Sequence, residues 1–234
     1  MIEDVKAVDD GKVCFITCVN DEETYAESRL YMEHLAVPVG MQVEFRAVRG
    51  AESMAAGYEA ARQSSTAKYK IYLHQDVMLL KKDLVQAVVS FFSSHPKAGL
   101  LGLAGCVHLP PSLLWWEARE KFIGIAQASQ FDRMQRPQLP LQSVQVQAVD
   151  GVFMAAQYDV PWREDALKGW HFYDISASLE YQKQGLEVWL PEQAEYWLMH
   201  LTKRQPLGAE YYTAADICRN LYAGLLAGSK QFSL

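Results

Sequence analysis

The chain has 234 residues, of which 50% are hydrophobic and 21% are charged. This composition is ordinary for a globular protein, and the length is sufficient for a sizeable hydrophobic core. Acidic residues outnumber basic residues by 28 to 22, giving a formal net charge of −6. A net negative charge argues against a nucleic-acid partner, because phosphate binding requires a basic surface.

Features that would direct the chain to a membrane or to secretion are missing from the sequence. The N-terminal residues are acidic and lack the apolar segment of a signal peptide. Glycines and the pair Pro110–Pro111 interrupt the longest uncharged run, 98–116, so we predict no membrane span. No C-x-x-C motif is present, and we expect reduced, buried thiols at the four cysteines, Cys14, Cys18, Cys106 and Cys218. A cytoplasmic location is expected.

Strand-like and helical segments alternate along the first half of the chain. Apolar, β-branched or alternating runs predict strands at 12–20, 41–50, 68–76 and 98–109. Helical patterns lie between them at 22–35, 53–65 and 84–95. This alternation predicts an α/β fold with a mostly parallel central sheet flanked by helices.

The pattern changes after Pro110. Residues 110–142 form a long connection rich in aromatic side chains, which is typical of a lid or a binding loop. The hydrophobic group Leu114, Trp115 and Trp116 could belong to a lid, the core or an interface. Further along, we predict a strand at 144–157, a helix closed by Gly185, a strand at 186–192 and an amphipathic helix at 209–228.

Four polar clusters lie near the ends of predicted strands: Thr17–Asp21, Arg49–Gly50, His74–Asp76 and Asp150–Gly151. In open α/β sheets, ligands bind at the carboxyl ends of the strands. If the sheet is parallel, these ends share one edge of the sheet. We therefore expect a binding site there.

Three side chains suggest chemistry, and each also has a simpler interpretation. Asp76 could bind a divalent metal that holds a diphosphate, or it could cap the next turn. His200 could be a second metal ligand, or a core or surface histidine. Asp174 could act as a general base, or it could cap a helix by accepting the amides of Ser176 and Ala177.

Other residues give weaker signals. The two glycines and the helix start within 49–61 could direct backbone amides at a phosphate, although no P-loop or dinucleotide motif is present. A diphosphate could be screened by Arg49, Lys81, Lys82, Lys203 and Arg204, or these residues could simply be solvated. Sugar stacking or ordinary packing would suit the aromatic run Trp170, His171, Phe172 and Tyr173. If the chain were a glycosidase, Asp150 and Asp174 could be its two facing catalytic carboxylates. That interpretation gives no role to Asp76 at the end of its strand.

Five segments carry a family resemblance: FITCVND, RGAESMAAGYEAA, YKIYLHQDV, VDGVFMAAQ and GWHFYDISASLEYQKQG. Their order resembles the GT-A glycosyltransferases of the family 2 type. It is most similar to the small branch named for a streptomycin-biosynthesis protein, in which the YLHQDV and GWHFYD segments recur. The resemblance covers residues 12–202 and implies a GT-A domain at 1–205, with a C-terminal helix within 206–234 packed on it.

The resemblance implies an inverting, hexosyltransferase-like enzyme. Its donor would be a nucleoside-diphosphate sugar, and its acceptor a hydroxyl group of a glycan, a lipid-linked molecule or a small molecule. Asp174 would be the catalytic base, and Asp76 and His200 would bind Mn²⁺ or Mg²⁺. The donor site would comprise Thr17, Val19, Asp21, Arg49, Gly50, Ser53, Met54, Gly57, His74 and Gln75. The acceptor or sugar would be contacted by Asp150, Gly151, Trp170 and His171.

The chain departs from the family pattern at His74, which replaces the first acid of the D-x-D metal motif. One carboxylate then balances most of the metal's charge, and His74 could instead bond the ribose. The departure motivates an alternative, a non-catalytic nucleotide-sugar-binding protein of a glycan-assembly system. A nucleotidyltransferase is a weaker alternative, because its glycine-rich loop is absent after the first strand.

Overall fold

The computed structural model describes residues 7–127, 138–201 and 207–228. Strands and helices alternate in the first half, as predicted. The strands are β1 (Asp9–Val19), β2 (Gln42–Arg49), β3 (Ala67–Leu73), β4 (Val77–Leu79), β5 (Ala98–Gly102) and β6 (Ala104–Cys106). The helices are α1 (Glu22–Glu33), α2 (Met54–Ser64) and α3 (Leu84–Ser94).

Shorter strands dominate the second half. These are β7 (Lys121–Ile123), β8 (Ala126–Gln127), β9 (Val144–Gln145), β10 (Ala148–Val149), β11 (Phe153–Ala156), β12 (Glu187–Leu190) and β13 (Leu198–His200). A 3-10 turn lies at Trp115–Glu117. The helices are α4 (Tyr173–Lys183), α5 (Ala209–Leu221) and α6 (Ala223–Gly228).

A seven-stranded sheet forms the centre of the fold, in the order β2-β1-β3-β11-β5-β12-β9. Strand β1 runs parallel to β2 and β3, and β12 runs parallel to β5. Strand β11 is antiparallel to both of its neighbours, with Phe153 opposite Leu73. Because of this reversal, the start of β11 lies at the same edge as the ends of β1 and β3. The Asp150–Gly151 pair therefore reaches the predicted edge by preceding a reversed strand.

Two segments predicted as single strands are divided among sheets. Residues 98–109 form β5 in the central sheet and β6 in a second sheet of order β10-β6-β7, and residues 144–157 form β9, β10 and β11. Glycines mark the crossing. A Cβ atom on Gly105 would lie 2.2 Å from the carbonyl oxygen of Ala148, and one on Gly102 would lie 2.4 Å from the Cβ of Val149. Only glycine permits backbones to approach so closely.

A third sheet, in the order β4-β13-β8, extends the edge where the site forms. The predicted strand at 68–76 ends at Leu73, and the chain becomes extended again as β4. Strand β13 pairs antiparallel with β4, placing His200 opposite Val77. This register brings His200 beside Asp76.

The C-terminal helix pair packs on α4. Helix α4 ends before Gly185, whose φ of 74° suits a residue without a side chain, as predicted. The predicted helix at 209–228 is divided at Tyr222, whose hydroxyl donates to Glu180 Oε1 at 2.8 Å. That hydroxyl also bonds Ser176 Oγ at 2.6 Å. These contacts join α4 to the end of the chain that the structure describes.

The four cysteines are unpaired, as predicted, and Cys18 differs from the other three in being half-buried. Burial raises the pKa of the Cys18 thiol to about 12. No helix within the described ranges is both long enough and apolar enough to span a membrane.

Replacing Gly57, which was predicted for the donor site, tests whether this glycine is needed for close packing of α2. A Cβ atom on Gly57 would lie 2.5 Å from Cys18 Sγ and 3.0 Å from the Cβ of Ala51. We expect Gly57→Ala to lower the free energy of unfolding by about 1–3 kcal/mol, measured by urea denaturation. In Gly224→Ala, the control within α6, the new Cβ meets nothing within 4 Å. Alanine there should be neutral or stabilising by up to about 1 kcal/mol. Equal stability of the two variants would contradict the packing role.

Candidate active site

A cleft of about 290 Å³ opens where β1, β2 and β3 end. Seven residues predicted for the site line it: Val19, Gly50, Met54, His74, Gln75, Asp76 and Trp170. Cys18, Asn20, Val48 and Ala51 also line it. Cys18 and Asn20 belong to the predicted cluster Thr17–Asp21 but were not named as site residues, and Val48 and Ala51 were not predicted. Their positions at strand ends are the signal that could have identified them.

His74, Asp76 and His200 form a cluster that could hold a metal ion. One potential ligand atom from each residue lies within 4.8 Å of the others. His200 Nε2 is 3.1 Å from Asp76 Oδ1, and His200 is buried. A carboxylate with two imidazoles is a donor set that fits a divalent transition metal such as Mn²⁺. His74 could therefore be a third metal ligand, whereas the sequence analysis placed it in the site for the sugar nucleotide.

Electrostatics favour the metal-binding forms of two members of this cluster. Burial opposes ionisation of Asp76, but the hydrogen bond from His200 and the nearby histidines outweigh it and lower the pKa of Asp76. Burial, assisted by the neighbouring His200, lowers the pKa of His74 to about 4. At neutral pH, Asp76 is therefore ionised and His74 is neutral, as metal ligation requires.

Tyr173 connects this cluster to helix α4. Its hydroxyl lies 2.5 Å from His74 Nε2, a contact that orients the His74 ring. A Cβ atom on Gly151 would lie 2.3 Å from the same hydroxyl, so glycine leaves room for the Tyr173 ring. Sequence reasoning considered Tyr173 only as one of several aromatic residues suited to stacking.

Asp174 lies at the start of α4 but does not cap it in the expected way. Its carboxylate accepts hydrogen bonds from the Ile175 amide at 2.8 Å and the Gly151 amide at 3.0 Å. The Ser176 amide instead donates to the carbonyl oxygen of Phe172, at 2.9 Å. The alternative prediction, in which Asp174 caps the helix by accepting the amides of Ser176 and Ala177, is therefore wrong: the carboxylate accepts the amides of Ile175 and Gly151 instead.

Asp150 lies close enough to Asp174 to alter its ionisation. The Asp150 carboxylate accepts Trp115 Nε1 at 3.0 Å and the Val152 amide at 2.8 Å. Burial, followed by the negative charge of Asp150, raises the pKa of Asp174 to about 7. Asp150 also acts electrostatically on His74, and Asp174 directly follows Tyr173, whose hydroxyl contacts His74.

Several predicted donor-site residues have structural partners. Asp21 caps α1 by accepting the amides of Glu23 and Thr24, both at 3.1 Å. The Arg49 guanidinium pairs with Glu22, with Nη2 2.9 Å from Oε2. Neither residue is among those lining the cleft.

Three more predicted donor-site residues have structural roles, and one of them, Gln75, also lines the cleft. Thr17 is buried in β1, and Ser53 caps α2 by accepting the Ala56 amide at 3.1 Å. Gln75 lines the cleft, and its Oε1 accepts the amides of Asn20 and Asp21 at 2.9 and 3.0 Å. Gln75 therefore joins the turn after β3 to the end of β1.

The remaining basic and aromatic residues that were predicted for the site do not form one group. Lys81 Nζ lies 2.9 Å from Asp83 Oδ1, while Lys82 is exposed. Lys203 and Arg204 lie outside the described residues. Trp170 is exposed on the cleft wall, and the ring of His171 lies 4.9 Å from that of Tyr211, centroid to centroid.

Known proteins were compared by family and by structure. A family model described as a glycosyltransferase-like family matches residues 14–222. None of the curated proteins matches the sequence.

Two solved structures resemble the fold. GalNAc-T7 with UDP, GalNAc and Mn²⁺ has a TM-score of 0.64 at 9% identity, covering 97% of this chain and 51% of that chain. TarS of S. aureus has a TM-score of 0.53 at 8% identity, covering 82% of this chain and 37% of that chain. The chain thus spans about half the length of the first structure and less of the second.

At these identities the structural likeness concerns the fold, which is the GT-A fold expected from the resemblance. The assignment to the streptomycin-biosynthesis branch stays a prediction. With the family match extending over most of the chain, this protein belongs to the glycosyltransferase-like family and has a GT-A fold.

Proposed function

We propose that the protein is an inverting, metal-assisted glycosyltransferase that moves a sugar from a nucleoside-diphosphate sugar to a hydroxyl acceptor. One observation carries the proposal: His74, Asp76 and His200 form a possible metal-ligand cluster at the strand-end cleft, and Tyr173, which contacts His74, directly precedes Asp174. The structurally similar GalNAc-T7 was crystallised with UDP, GalNAc and Mn²⁺. That composition supports the same classes of ligand here.

The metal-ligand cluster would hold the cation. A bound divalent cation supplies positive charge that stabilises the departing diphosphate. Mg²⁺ prefers oxygen ligands, whereas Mn²⁺ accepts imidazole more readily, so the two histidines favour Mn²⁺. The alternative, a nucleotide-sugar-binding protein without activity, was motivated by His74, which replaces the first acid of the D-x-D metal motif. His74 lies with Asp76 and His200 and could supply a third ligand, so that motivation is weaker.

Asp174 would act as the base. Two backbone amides orient its carboxylate, and a pKa of about 7 leaves a substantial ionised fraction at neutral pH. The acceptor hydroxyl transfers its proton to Asp174 while its oxygen bonds to the anomeric carbon. The bond from that carbon to the diphosphate breaks in the same displacement, which inverts the configuration.

Replacing Asp76 tests the metal–diphosphate site. In wild type, we expect one of UDP, GDP, CDP or dTDP to raise the Tm only when Mn²⁺ is present, because ligands of the folded state stabilise it. Asp76→Asn should weaken Mn²⁺ binding by about tenfold or more and abolish this shift. Asp83→Asn removes an exposed carboxylate that pairs with Lys81 and should keep the shift. Retention of the shift in Asp76→Asn would remove the metal assignment.

The pH dependence of transfer tests Asp174. Only the ionised carboxylate accepts a proton, so kcat/KM should fall as pH decreases through about 7. A bound cation would move this inflection to lower pH. Asp150→Asn should also move it downward, because Asp150 raises the pKa of Asp174.

Replacing Asp174, the proposed base, tests the same assignment through the rate of sugar transfer. Asp174→Asn should lower the transfer rate by about 10²- to 10⁴-fold while nucleotide binding persists. Asp165→Asn, an exposed aspartate paired with Arg163, serves as the control and should retain activity. Near-normal transfer by Asp174→Asn would rule out the base assignment.

A further inference from the structure

An aromatic cluster adjoins the two carboxylates and has no part in the chemistry described above. Its members are Trp115, Trp116, His171, Phe172 and Tyr211. The ring centroid of Tyr211 lies 4.9 Å from that of His171, 5.0 Å from that of Phe172 and 6.1 Å from that of Trp116. Tyr211 thus joins the start of α5 to the two loops that carry the other rings.

Direct contacts connect this aromatic cluster to the proposed reaction centre. Trp115 Nε1 donates to Asp150 Oδ2 at 3.0 Å. Phe172 lies two residues before Asp174 at the beginning of α4. Burial raises the pKa of Tyr211, and the negative charges of Asp174 and Asp150 raise it further.

The loops that carry these rings have uncommon backbone conformations. Among the non-glycine residues that the structure describes, only Leu113 and Phe172 have positive φ, at 62° and 61°. Leu113 lies two residues before Trp115, and Phe172 is itself in the aromatic cluster. Such conformations are unfavourable for residues with a side chain, and they concentrate at ligand-binding sites.

Part of the aromatic cluster is open to solvent. The exposed fraction of Trp116 is 38%, whereas Trp115 is buried beneath it at 7%. Tyr211 and His171 are half-buried. Trp170, next to His171, lines the cleft with 44% of its surface exposed. Partly open rings that adjoin the two carboxylates suit a flat molecule with an apolar face and polar edges.

The surrounding charges narrow the chemistry of that molecule. Four carboxylates adjoin the aromatic cluster. Asp150 accepts a hydrogen bond from Trp115 Nε1, and Asp174 lies two residues after Phe172. Glu117 and Glu210 directly neighbour Trp116 and Tyr211 in the chain. Arg219, the one cation on α5, is already paired with Asp216 and donates to the carbonyl oxygen of Pro111. Among the residues that the structure describes, these carboxylates disfavour a ligand that carries a carboxylate or a phosphate.

We infer that the aromatic cluster is the acceptor subsite and that the acceptor is a saccharide that is neutral or bears an amine. The inference rests on the proposed function, because an acceptor presupposes sugar transfer. The Trp116 and Tyr211 rings stack on the apolar face of a pyranose. Asp150 bonds a hydroxyl group of the sugar, and the hydroxyl that reacts faces Asp174.

Saturation-transfer NMR of sugar binding tests the subsite. The probes are cellotriose and maltotriose as neutral sugars, a glucosamine trimer as an amine-bearing sugar, and trigalacturonic acid as an acidic sugar. Wild type should transfer saturation to the ring protons of a neutral or amine-bearing probe and not to the acidic one. Trp116→Ala and Tyr211→Ala should each weaken binding about two- to tenfold.

Tyr158→Ala is the matched control. Tyr158 is 40% exposed, similar to Trp116, and follows the end of β11 at the opposite edge of the sheet. The Tyr158→Ala variant should bind the probes as wild type does. The inference is overturned if wild type binds no neutral or amine-bearing probe, if it prefers the acidic probe, or if Trp116→Ala binds as tightly as Tyr158→Ala.

The nucleotide-dependent Tm shift with Mn²⁺ is measured on the same proteins. A shift retained in Trp116→Ala and Tyr211→Ala shows that the variants are folded and that the donor site is intact, so their loss of sugar binding supports the subsite. A nucleotide shift in wild type without sugar binding overturns the subsite alone. Absence of the nucleotide shift in wild type overturns the proposed function and, with it, any acceptor subsite.

Discussion

The reversed strand β11 is the constraint on which the site depends. It lies between β3 and β5 and runs against both, with Phe153 opposite Leu73. The His74 amide donates to the carbonyl oxygen of Val152 at 3.2 Å, which fixes the approach to β11 against the end of β3. As a result, Asp150 and Gly151 lie beside the metal-ligand cluster. A parallel strand at this position would place its preceding loop at the opposite edge of the sheet.

From that position, Gly151 organises the remaining parts. Its amide donates to Asp174, and its missing side chain leaves space for Tyr173. The first turn of α4 is thereby held against the central sheet. The proposed site combines a possible cation position on strands with a carboxylate on a helix, so both parts are held by regular elements rather than by loops alone.

Much of the fold could be predicted from local pattern. Apart from β4, the strands and helices up to α3 follow hydrophobic periodicity, and Gly185 follows helix α4 as predicted. The divisions at Gly102 and Gly105 could not be predicted, because they depend on how closely Ala148 and Val149 approach. A glycine in an apolar run indicates a possible break but does not identify the strand that crosses it.

The same limit applies to the site. Strand-end position suggested Asp76 and family resemblance suggested His200 as metal ligands, but pairing of β13 with β4 is what joins them. The contact of His74 with Tyr173 spans 99 positions and has no local signal. Conversely, Asp21 and Ser53 lie in the expected region, yet each accepts hydrogen bonds from backbone amides at a helix start. Residue type and position do not distinguish a cap from a ligand contact.

The Tyr173–His74 hydrogen bond has a thermodynamic consequence. It couples His74, a residue of the proposed cation position, to the helix that carries the proposed base, so restricting one side restricts the other. A cation that immobilised His74 would reduce the conformational entropy that α4 still has to lose on binding of the proposed acceptor. Binding free energies are reciprocal, so the acceptor would increase the affinity for the cation by the same factor. The order in which the two ligands arrive therefore affects the rate of assembly but not the stability of the final complex.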